Sequence, residues 1–428
     1  MKRYGGLWEK VIAWENLRLA ARKARRGKRD RAGVQRFEFD LENNLLALRL
    51  EMANGTYRPG PFSTHWINRP KARLISAAPY RDRVVHHALM NVLEPILDRH
   101  FHPHSYACRQ GKGTHAAADR VQELMRRQKH FVQMDIRKYF PSIDHELLKR
   151  TFRRLIKDDR VLWLMDLVVD HSNPQEPVAE YFPGDDLFAP VTRRHGLPIG
   201  NLTSQWLANW YLNEMDHFVT SHLRIGGYVR YCDDFILLHD DREILRNAVL
   251  SIGRYLAGLR LRVHERKAHI KPVRSGTTFV GYRLWASHRL IRKENIRQFR
   301  RRVAWMRNGY AAGVVDWKDI RPRLASWLGH ARQANSERLI RRLARDWRFR
   351  RSISVPVAFA ARSQQPLLKL QQRQPPHNPC LRVSGRLRDF SPKCPRRAAG
   401  GDAPVMSPDG SETAAPAGQD HKPLAEPA

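Results

Sequence analysis

The stretch YCDDFILL, residues 231–238, places Asp233 and Asp234 side by side in front of an apolar run. The wider segment GGYVRYCDDFILLHDD (226–241) has two apolar parts separated by this polar interruption, which predicts a strand, a tight turn and a second strand. Two aspartates in a turn are common, because a short carboxylate side chain bonds readily to the backbone beside it. The pair therefore needs support from the rest of the chain before it indicates chemistry.

A third aspartate, Asp135, ends the short apolar segment FVQMDI (131–136), which is predicted to be a strand. Three carboxylates at neighbouring strand ends would repel one another and raise one another's pKa unless a cation neutralised them. Two Mg²⁺ ions about 3.5–4 Å apart would do so, and such a pair activates an attacking 3′-hydroxyl and stabilises a leaving pyrophosphate. Magnesium prefers a few carboxylates together with phosphate oxygens of a substrate, which these aspartates could supply.

The chain has 428 residues and a formal net charge of +35 at pH 7. An excess of this size repels itself and usually exists because a polyanion, nucleic acid or an anionic membrane, neutralises it. No apolar stretch approaches the ~18 residues that a transmembrane helix needs, and the N-terminus MKRYGGLWEK has no apolar signal core. We therefore expect a cytoplasmic protein with no membrane partner. Its four cysteines form no set at zinc-site spacing.

Four regions follow from the composition along the chain. Residues 1–60 are basic overall and predict two amphipathic helices, and residues 61–285 alternate strands with helices. Residues 286–350 are predicted to be helical and are strongly basic. Residues 351–428 contain none of the 11 tryptophans and 12 of the 26 prolines, so we expect a disordered tail. The predicted class is α+β, with an antiparallel sheet domain between helical ends.

Several segments resemble, in order along the chain, the sequence motifs of reverse transcriptases. They are RPKARLISAAPYRDRVVHHAL (69–89), SYACRQGKGTHAA (105–117), MDIRKYFPSIDHELL (134–148), GLPIGNLTSQWLANWYLNEMD (196–216), YCDDFILL (231–238) and ERKAHIKPVRSGTTFVGY (265–282). A lone YxDD motif is weak evidence, whereas the ordered set, spread over about residues 40–340, is specific. The resemblance implies a right-hand polymerase fold, with fingers and palm in the second region and a helical thumb in the third.

The resemblance also implies roles for the aspartates. Asp135, Asp233 and Asp234 would hold two Mg²⁺ ions, for which Mn²⁺ is a possible substitute. Ile136 would lend its backbone carbonyl to a metal ion. The implied enzyme is an RNA-directed DNA polymerase, a nucleotidyltransferase.

Other matched positions belong to the incoming nucleotide. Lys71 and Arg73 match the fingers residues that grip its triphosphate, although an ordinary surface charge pair would look the same. Phe140 matches the steric gate that stacks under the sugar and rejects a 2′-hydroxyl, with core packing as the alternative. Lys267 matches a lysine proposed to protonate the pyrophosphate, and the nearby Lys271 is an alternative for that role.

Two stretches resemble one branch, the reverse transcriptases of diversity-generating retroelements, which copy a template RNA into error-laden cDNA. They are LPIGNLTSQ (197–205) and SWLGHARQANS (326–336). Ile199 and Gly200 stand at the nucleotide site where most reverse transcriptases have Gln-Gly. An isoleucine cannot hydrogen-bond near the nascent base pair, which would weaken discrimination by about 1 kcal/mol. We therefore expect errors, above all at template adenines, unless Ile199 only packs the floor of the pocket.

The implied partners are template RNA, primer, cDNA and dNTPs, together with a small basic accessory protein that the branch usually employs. Gly281 and Tyr282 match the turn that grips the primer. Two other hypotheses stay open. One is another bacterial reverse transcriptase, of the group II intron type or in phage defence. The other is a non-catalytic RNA-binding scaffold, which the three intact aspartates argue against because they repel one another.

Overall fold

The computed structural model of the chain describes most residues up to Arg351. The described ranges are 3–67, 72–173, 178–264 and 268–351. Lys71 and Lys267 lie outside them, as do residues 352–428 of the segment predicted to be a disordered tail. Within the described ranges, no helix combines the length and the apolar composition needed to cross a membrane.

The N-terminal region is built from four helices. They are α1 (Trp8–Ile12), α2 (Trp14–Ala24), α3 (Ala32–Phe39) and α4 (Leu41–Ala53). The sequence predicts two helices here; the first is interrupted at Ala13, whose ψ of 139° is not helical. Helix α2 buries Leu17, Ala20, Ala21 and Ala24, which lie on one face because they are spaced three or four residues apart.

A hairpin and two long helices follow. They are β1 (Ser63–Ile67), β2 (Arg73–Ala77), α5 (Tyr80–His100) and α6 (Thr114–Arg127). The segments FSTHWINRP (62–70) and KARLISAAP (71–79) predict two short strands. Strands β1 and β2 confirm this and pair antiparallel, with Ile67 opposite Arg73. Helix α2 packs along α5, and the N-terminal helices thereby share one large apolar core with the helices and strands that follow.

The central sheet has four antiparallel strands in the order β4-β5-β3-β6. They are β3 (His130–Asp135), β4 (Gly227–Tyr231), β5 (Asp234–His239) and β6 (Ile270–Pro272). Strands β4 and β5 form the predicted hairpin, with Tyr231 opposite Asp234. Strand β3 pairs with β5, and this register places Asp135 opposite Asp234. The aspartates therefore come from adjacent strands, as the sequence predicts.

Seven helices connect and cover these strands. They are α7 (Tyr139–Ser142), α8 (His145–Leu155), α9 (Asp159–Asp170), α10 (Ala189–Thr192), α11 (Leu202–Tyr211), α12 (Asn213–His217) and α13 (Arg242–Gly258). Helices α8 and α9 begin where the side chains of Asp144 and Asp158 accept the backbone N–H groups of Leu147 and Val161. Such caps satisfy N–H groups that the first turn of a helix leaves without partners.

The apolar run of β5 is continuous because both faces of the central sheet are covered. Phe235 and Leu237 lie in the large core, together with the buried faces of the N-terminal helices and of α5, α8, α9 and α11. Ile236 and Leu238 lie in a second core, formed with α6 and residues after β6. A strand that is buried on both sides does not alternate apolar and polar residues.

A second sheet and three helices complete the described chain. They are β7 (Thr277–Phe279), β8 (Tyr282–Leu284), β9 (Arg289–Ile291), α14 (Lys293–Ala311), α15 (Trp317–Arg332) and α16 (Glu337–Ala344). The segment TTFVGYRLW (277–285) predicts a single strand, and this prediction is wrong: the chain forms β7 and β8 instead, because Val280 and Gly281 turn it with φ of 42° and 92°. The last three helices have a core of their own, in which the rings of Phe299 and Trp327 stack with their centroids 3.8 Å apart. The predicted α+β class is confirmed.

Gly227 supplies a test of the central sheet, since a Cβ there would lie 2.3 Å from the carbonyl oxygen of Leu238 on the paired strand. We expect Gly227→Ala to lower the free energy of unfolding by about 1–3 kcal/mol, because β4 and β5 would have to separate. A Cβ added at Gly226 would meet no atom of the described chain within 4 Å, so Gly226→Ala should change stability by less than ~0.5 kcal/mol. Urea denaturation of both variants measures the difference; equal stabilities would contradict this packing.

Candidate active site

Three aspartates lie together at one end of the central sheet. Asp135 is the last residue of β3, Asp234 is the first of β5, and Asp233 is in the turn that precedes it. The backbone N–H of Ile136 donates to the carbonyl oxygen of Asp233 at 3.3 Å, which joins the end of β3 to the turn. Ile136 also bridges to Val263, so this end of the sheet is held from both sides.

Burial and two neighbouring charges act on the pKa of the Asp233 carboxylate. Burial raises its pKa above the ordinary 3.8, and the negative charge of Asp135 raises it further. The positive charge of Arg73, on β2, opposes this rise. Asp135, Asp233 and Arg73 therefore act on one another, although they come from three separate parts of the chain. A bound cation would remove the repulsion that raises this pKa.

The third carboxylate, that of Asp234, has a different surrounding. The side-chain amide of Gln133 donates to both of its oxygens, at 2.8 and 3.1 Å. Across the described parts of the chain, no three His, Cys, Asp or Glu side chains are already arranged to hold a metal ion. The donor set nevertheless fits magnesium, which needs only one or two carboxylates when substrate phosphates complete its coordination.

An ion pair beneath the turn fixes its shape. Arg230 and Asp216 are both fully buried, and Arg230 donates to the two oxygens of Asp216 at 2.6 and 2.5 Å. Arg230 also donates to the carbonyl oxygen of Cys232 at 3.0 Å. Cys232 has a φ of 60°, a left-handed conformation that a non-glycine residue keeps only when its surroundings hold it. Sequence reasoning missed Arg230, whose signal is a charged residue inside an apolar strand.

Burial by itself would lower the pKa of the Arg230 guanidinium, but the Asp216 carboxylate and its hydrogen bonds raise it above the ordinary value. The pair thus stays charged inside the core. The hydroxyl of Tyr228 donates to Asp216 at 2.6 Å, and Asn209 accepts a further N–H of Arg230 at 2.8 Å. These bonds satisfy the buried charges, as buried ion pairs require.

The loop that contains Ile199 and Gly200 is bound to β2. The carbonyl oxygen of Ile199 accepts the N–H of Ser76 at 2.8 Å, and the Asn201 amide donates to the Ser76 carbonyl at 3.0 Å. Gly200 has a φ of 121°, and a Cβ there would lie 3.0 Å from Cγ2 of Ile75. The loop therefore lies against the strand that contains Arg73. Asn201 was not among the predicted site residues.

Phe140 is half-buried and packs against the large core. It follows Lys138, which is left-handed with a φ of 47°, so the chain turns sharply after β3. The carbonyl oxygen of Phe140 accepts the N–H of Leu197 at 2.9 Å. This bond joins the backbone of Phe140 to the loop that contains Ile199, so two predicted nucleotide-site residues lie on hydrogen-bonded segments.

Tyr282 is fully buried below the β7–β8 turn. Its hydroxyl lies 3.0 Å from Nδ1 of His115 and 2.8 Å from Nδ1 of His330, and its ring stacks on His330 at 4.4 Å. His330 belongs to the stretch SWLGHARQANS. The side chain of Tyr282 thus joins the hairpin to α6 and α15, while Gly281 forms the turn itself. Lys271, the alternative to Lys267, is exposed on β6.

A family model described as "Reverse transcriptase (RNA-dependent DNA polymerase)" matches residues 66–284, which is just over half of the chain. The chain therefore belongs to the reverse transcriptase family and is an enzyme of that class. The α+β arrangement of its central sheet, the β1–β2 hairpin and the covering helices is the palm and fingers fold of a polymerase. Members of the family generally use divalent metal ions, typically Mg²⁺.

Three relatives illustrate what the chain is similar to. Protein YkfC of Escherichia coli (strain K12) is 26% identical over 291 residues, 59% of this chain and 72% of that protein. The group II intron-encoded protein LtrA of Lactococcus lactis subsp. cremoris is 26% identical over 181 residues, 42% of this chain and 28% of LtrA. The putative COX1/OXI3 intron 1 protein of Saccharomyces cerevisiae is 23% identical over 177 residues, 41% and 20% of the two chains. The match spans less than a third of either intron protein.

The buried pair beneath the turn gives a prediction about stability. Arg230→Met leaves Asp216 charged and without its partner in the core, so we expect a loss of about 3–5 kcal/mol in the free energy of unfolding. Adding Asp216→Leu removes the orphaned charge and should recover part of the loss. Chemical denaturation of both variants measures this. A single variant within ~1 kcal/mol of the parent chain would show that the pair does not hold the fold.

The raised pKa of Asp233 gives a prediction about pH. A carboxylate whose folded-state pKa is raised destabilises the fold at pH values above that pKa, and this cost disappears as the pH falls below the ordinary 3.8. Without metal, Asp233→Asn should therefore melt at a higher temperature than the parent chain at neutral pH. The difference should shrink as the pH is lowered. Thermal melts in EDTA across this range test it, and a variant that is less stable at neutral pH would contradict it.

Proposed function

We propose that this chain copies a template RNA into cDNA by two-metal nucleotidyl transfer at the end of β3 and β5. The observation that carries the proposal is the meeting of Asp135, Asp233 and Asp234 at one end of the central sheet, where Asp135 lies opposite Asp234 and the N–H of Ile136 bonds to Asp233. The positive charge of Arg73 acts on the carboxylate of Asp233. Negative charge for metal binding and positive charge for phosphate binding thus occur together. Transfer of a nucleotide to a primer needs both, because charge develops on the attacking and leaving oxygens.

In this proposal Asp135 and Asp233 bind the metal ions. Asp234, to which Gln133 donates, contributes as well, as the family resemblance implies. Ile136 adds its backbone carbonyl, as the family resemblance implies. When bound, magnesium ions favour deprotonation of the primer 3′-hydroxyl and neutralise the phosphates of the dNTP. The chain's own part is to fix these oxygens at the end of a rigid sheet.

Arg73 would hold the triphosphate of the incoming nucleotide, since a guanidinium binds phosphate oxygens through two parallel hydrogen bonds. Its side chain is exposed on β2, opposite Ile67 in the hairpin. Lys71 and Lys267 keep the triphosphate and pyrophosphate roles that the resemblance implies. Phe140 would lie under the sugar and exclude a 2′-hydroxyl, and the hydrogen bond from Leu197 fixes its backbone for that task.

A basic groove beside the fingers hairpin fits the template strand. It has a volume of about 920 Å³ and is lined by the loop between α2 and α3, by α3, by β1 and the end of β2, and by the start of α5. Five of its described lining residues are basic and none is acidic; the basic ones are Lys28, Arg31, Arg36, Arg81 and Arg83. Burial lowers the pKa of Lys28, and the charges of Arg83 and Arg31 lower it further. Positive charges that repel one another in an open groove attract a phosphate backbone.

The three C-terminal helices would act as the thumb and hold the template–primer duplex. Their core is separate from that of the palm, and their outer surface is basic. Arg297, Arg300 and Arg301 of α14 are all exposed. Such a surface binds a duplex through its phosphates, without reading its sequence.

We further propose that copying is error-prone, as in the diversity-generating retroelements that the chain resembles. The supporting residue is Ile199, whose carbonyl oxygen is bound to Ser76 of the fingers hairpin. Its backbone is therefore bound to β2 beside the proposed nucleotide site, and its apolar side chain has no donor or acceptor for a base pair. In this branch a small basic accessory protein would help to bind the template RNA.

A second candidate is a group II intron-type protein. LtrA, named as a group II intron-encoded protein, supports it with 26% identity over 181 residues. The two candidates share the polymerase chemistry and differ in fidelity and in the RNA that is copied. Fidelity therefore separates them, because the retroelement branch predicts errors at template adenines.

Primer extension is the test of the polymerase proposal. With a primed RNA template, dNTPs and Mg²⁺, we expect cDNA synthesis, and we expect Asp135→Asn to reduce it by about a thousandfold or more because a metal ligand is lost. Asp166→Asn, which breaks a surface pair with Arg153, is the matched control and should retain activity.

Equal activity of Asp135→Asn and the control would disprove the assigned site. Absence of extension by the parent chain, even with an accessory protein supplied, would favour the RNA-binding scaffold.

Ile199→Gln tests the fidelity proposal. A glutamine restores a hydrogen-bonding group worth about 1 kcal/mol, so misincorporation opposite template adenines should fall about fivefold. Ile199→Met keeps an apolar side chain of similar size and should leave the error rate unchanged. Sequencing the cDNA from all three proteins measures the rates. If the parent chain copies adenines accurately, the group II intron-type candidate is preferred.

A further inference from the structure

Gln133 connects the candidate metal site to the second sheet. It lies two residues before Asp135 on β3, on the same face of the strand, which makes it a diagonal neighbour of Asp234 across the β3–β5 pair. Its amide nitrogen donates to the carboxylate of Asp234 at 2.8 and 3.1 Å, and to the carbonyl oxygen of Thr278 at 3.1 Å. Its amide oxygen accepts the hydroxyl of Thr277 at 2.9 Å.

The chemistry of these partners allows one orientation of the amide. The nitrogen faces a carboxylate and a carbonyl, which only accept hydrogen bonds, and the oxygen faces a hydroxyl that can donate. A flipped amide would set its oxygen against two acceptors and lose these bonds. The buried hydroxyl of Thr277 therefore determines which end of Gln133 meets Asp234.

We propose that Gln133 is a positioning residue that holds Asp234 for metal binding and keeps the metal site in register with the β7–β8 hairpin. Thr277 and Thr278 belong to β7, and the hairpin turn follows at Val280 and Gly281. The side chain of Gln133 thus joins the Asp234 carboxylate to the β7–β8 hairpin, whose turn is assigned to the primer grip. The inference rests on the proposed function, because that function gives Asp234 and the hairpin their roles.

The relative position of these two elements matters because a misplacement of about 1 Å between reacting groups can lower a rate about a hundredfold. A single amide that bonds to both elements prevents them from moving independently. Groups that orient a metal ligand in this way typically contribute 10–100-fold to metal affinity or activity.

Gln133→Leu tests the proposal, since leucine fills similar space and makes none of the four hydrogen bonds. In the complex with primer and template, we expect Mn²⁺ binding, followed by the EPR signal of the free ion, to weaken by about 10–100-fold. The Mg²⁺ concentration for half-maximal extension should rise by a similar factor, and KM for the primer–template should rise as well. Thr277→Val removes only the orienting hydroxyl and should weaken Mn²⁺ binding by about fivefold.

Gln122→Leu is the matched control. The amide of Gln122 donates to the carbonyl oxygen of Trp285 at 2.8 Å and so joins α6 to the same part of the chain as Gln133 does, but away from the carboxylates. Gln122→Leu should lower the melting temperature about as much as Gln133→Leu does. It should leave Mn²⁺ binding and KM for the primer–template unchanged.

Two results would overturn the inference. In one, Gln133→Leu binds Mn²⁺ like the parent chain. In the other, Gln122→Leu weakens Mn²⁺ binding as much as Gln133→Leu does, so that the effect is one of general packing.

Asp135→Asn separates failure of this inference from failure of the proposed function. If Asp135→Asn binds Mn²⁺ and extends primers normally, the metal site itself is misassigned. If it loses both while Gln133→Leu does not, only the role of Gln133 is wrong.

Discussion

The buried ion pair between Arg230 and Asp216 is the interaction on which the geometry of the site depends. The turn after β4 places Asp233 at the end of the sheet while its neighbour Cys232 adopts a left-handed conformation. Arg230 holds that turn through the carbonyl oxygen of Cys232, and Asp216 holds Arg230. Burying two charges costs free energy. Removing one partner of a buried ion pair destabilises a protein more than replacing both partners with apolar residues. The palm therefore has a buried charged support directly below the left-handed Cys232.

This rigidity matters because the site above the pair is electrostatically unfavourable without a cation. Burial and Asp135 raise the pKa of Asp233, so the fold keeps two carboxylates together against their repulsion. Functional sites commonly concentrate such perturbed groups, since binding a cation or substrate later offsets the cost. The positive charge of Arg73 lowers the pKa of Asp233, but that pKa stays above its ordinary value. The same repulsion that lowers stability is what gives the site an affinity for magnesium in the proposed function.

Contacts between distant segments place the remaining parts of the site. The Ile199 loop is hydrogen-bonded to β2, so fingers and palm meet at the proposed nucleotide position. Tyr282 lies between His115 and His330 and joins the β7–β8 hairpin to α6 and to the C-terminal helices. A residue expected to face the primer is thus a buried anchor, and Gly281 provides the turn. The proposed primer grip and thumb are therefore connected through one aromatic side chain.

Local sequence patterns were sufficient to determine the α+β class, the strands that end in Asp135 and begin at Asp234, and the antiparallel hairpin between them. Apolar runs of strand length, a turn between them and a large basic excess are properties of short segments or of composition, so they can be read without a structure. The tertiary structure alone decided which side chains support these aspartates. The partner of Tyr282 at His115 is 167 residues away, and Gln133 meets Thr277 across 144 residues. A lone glutamine, histidine or arginine has no local signature of its partner, because hydrogen bonds and ion pairs between distant residues exist only once the chain has packed.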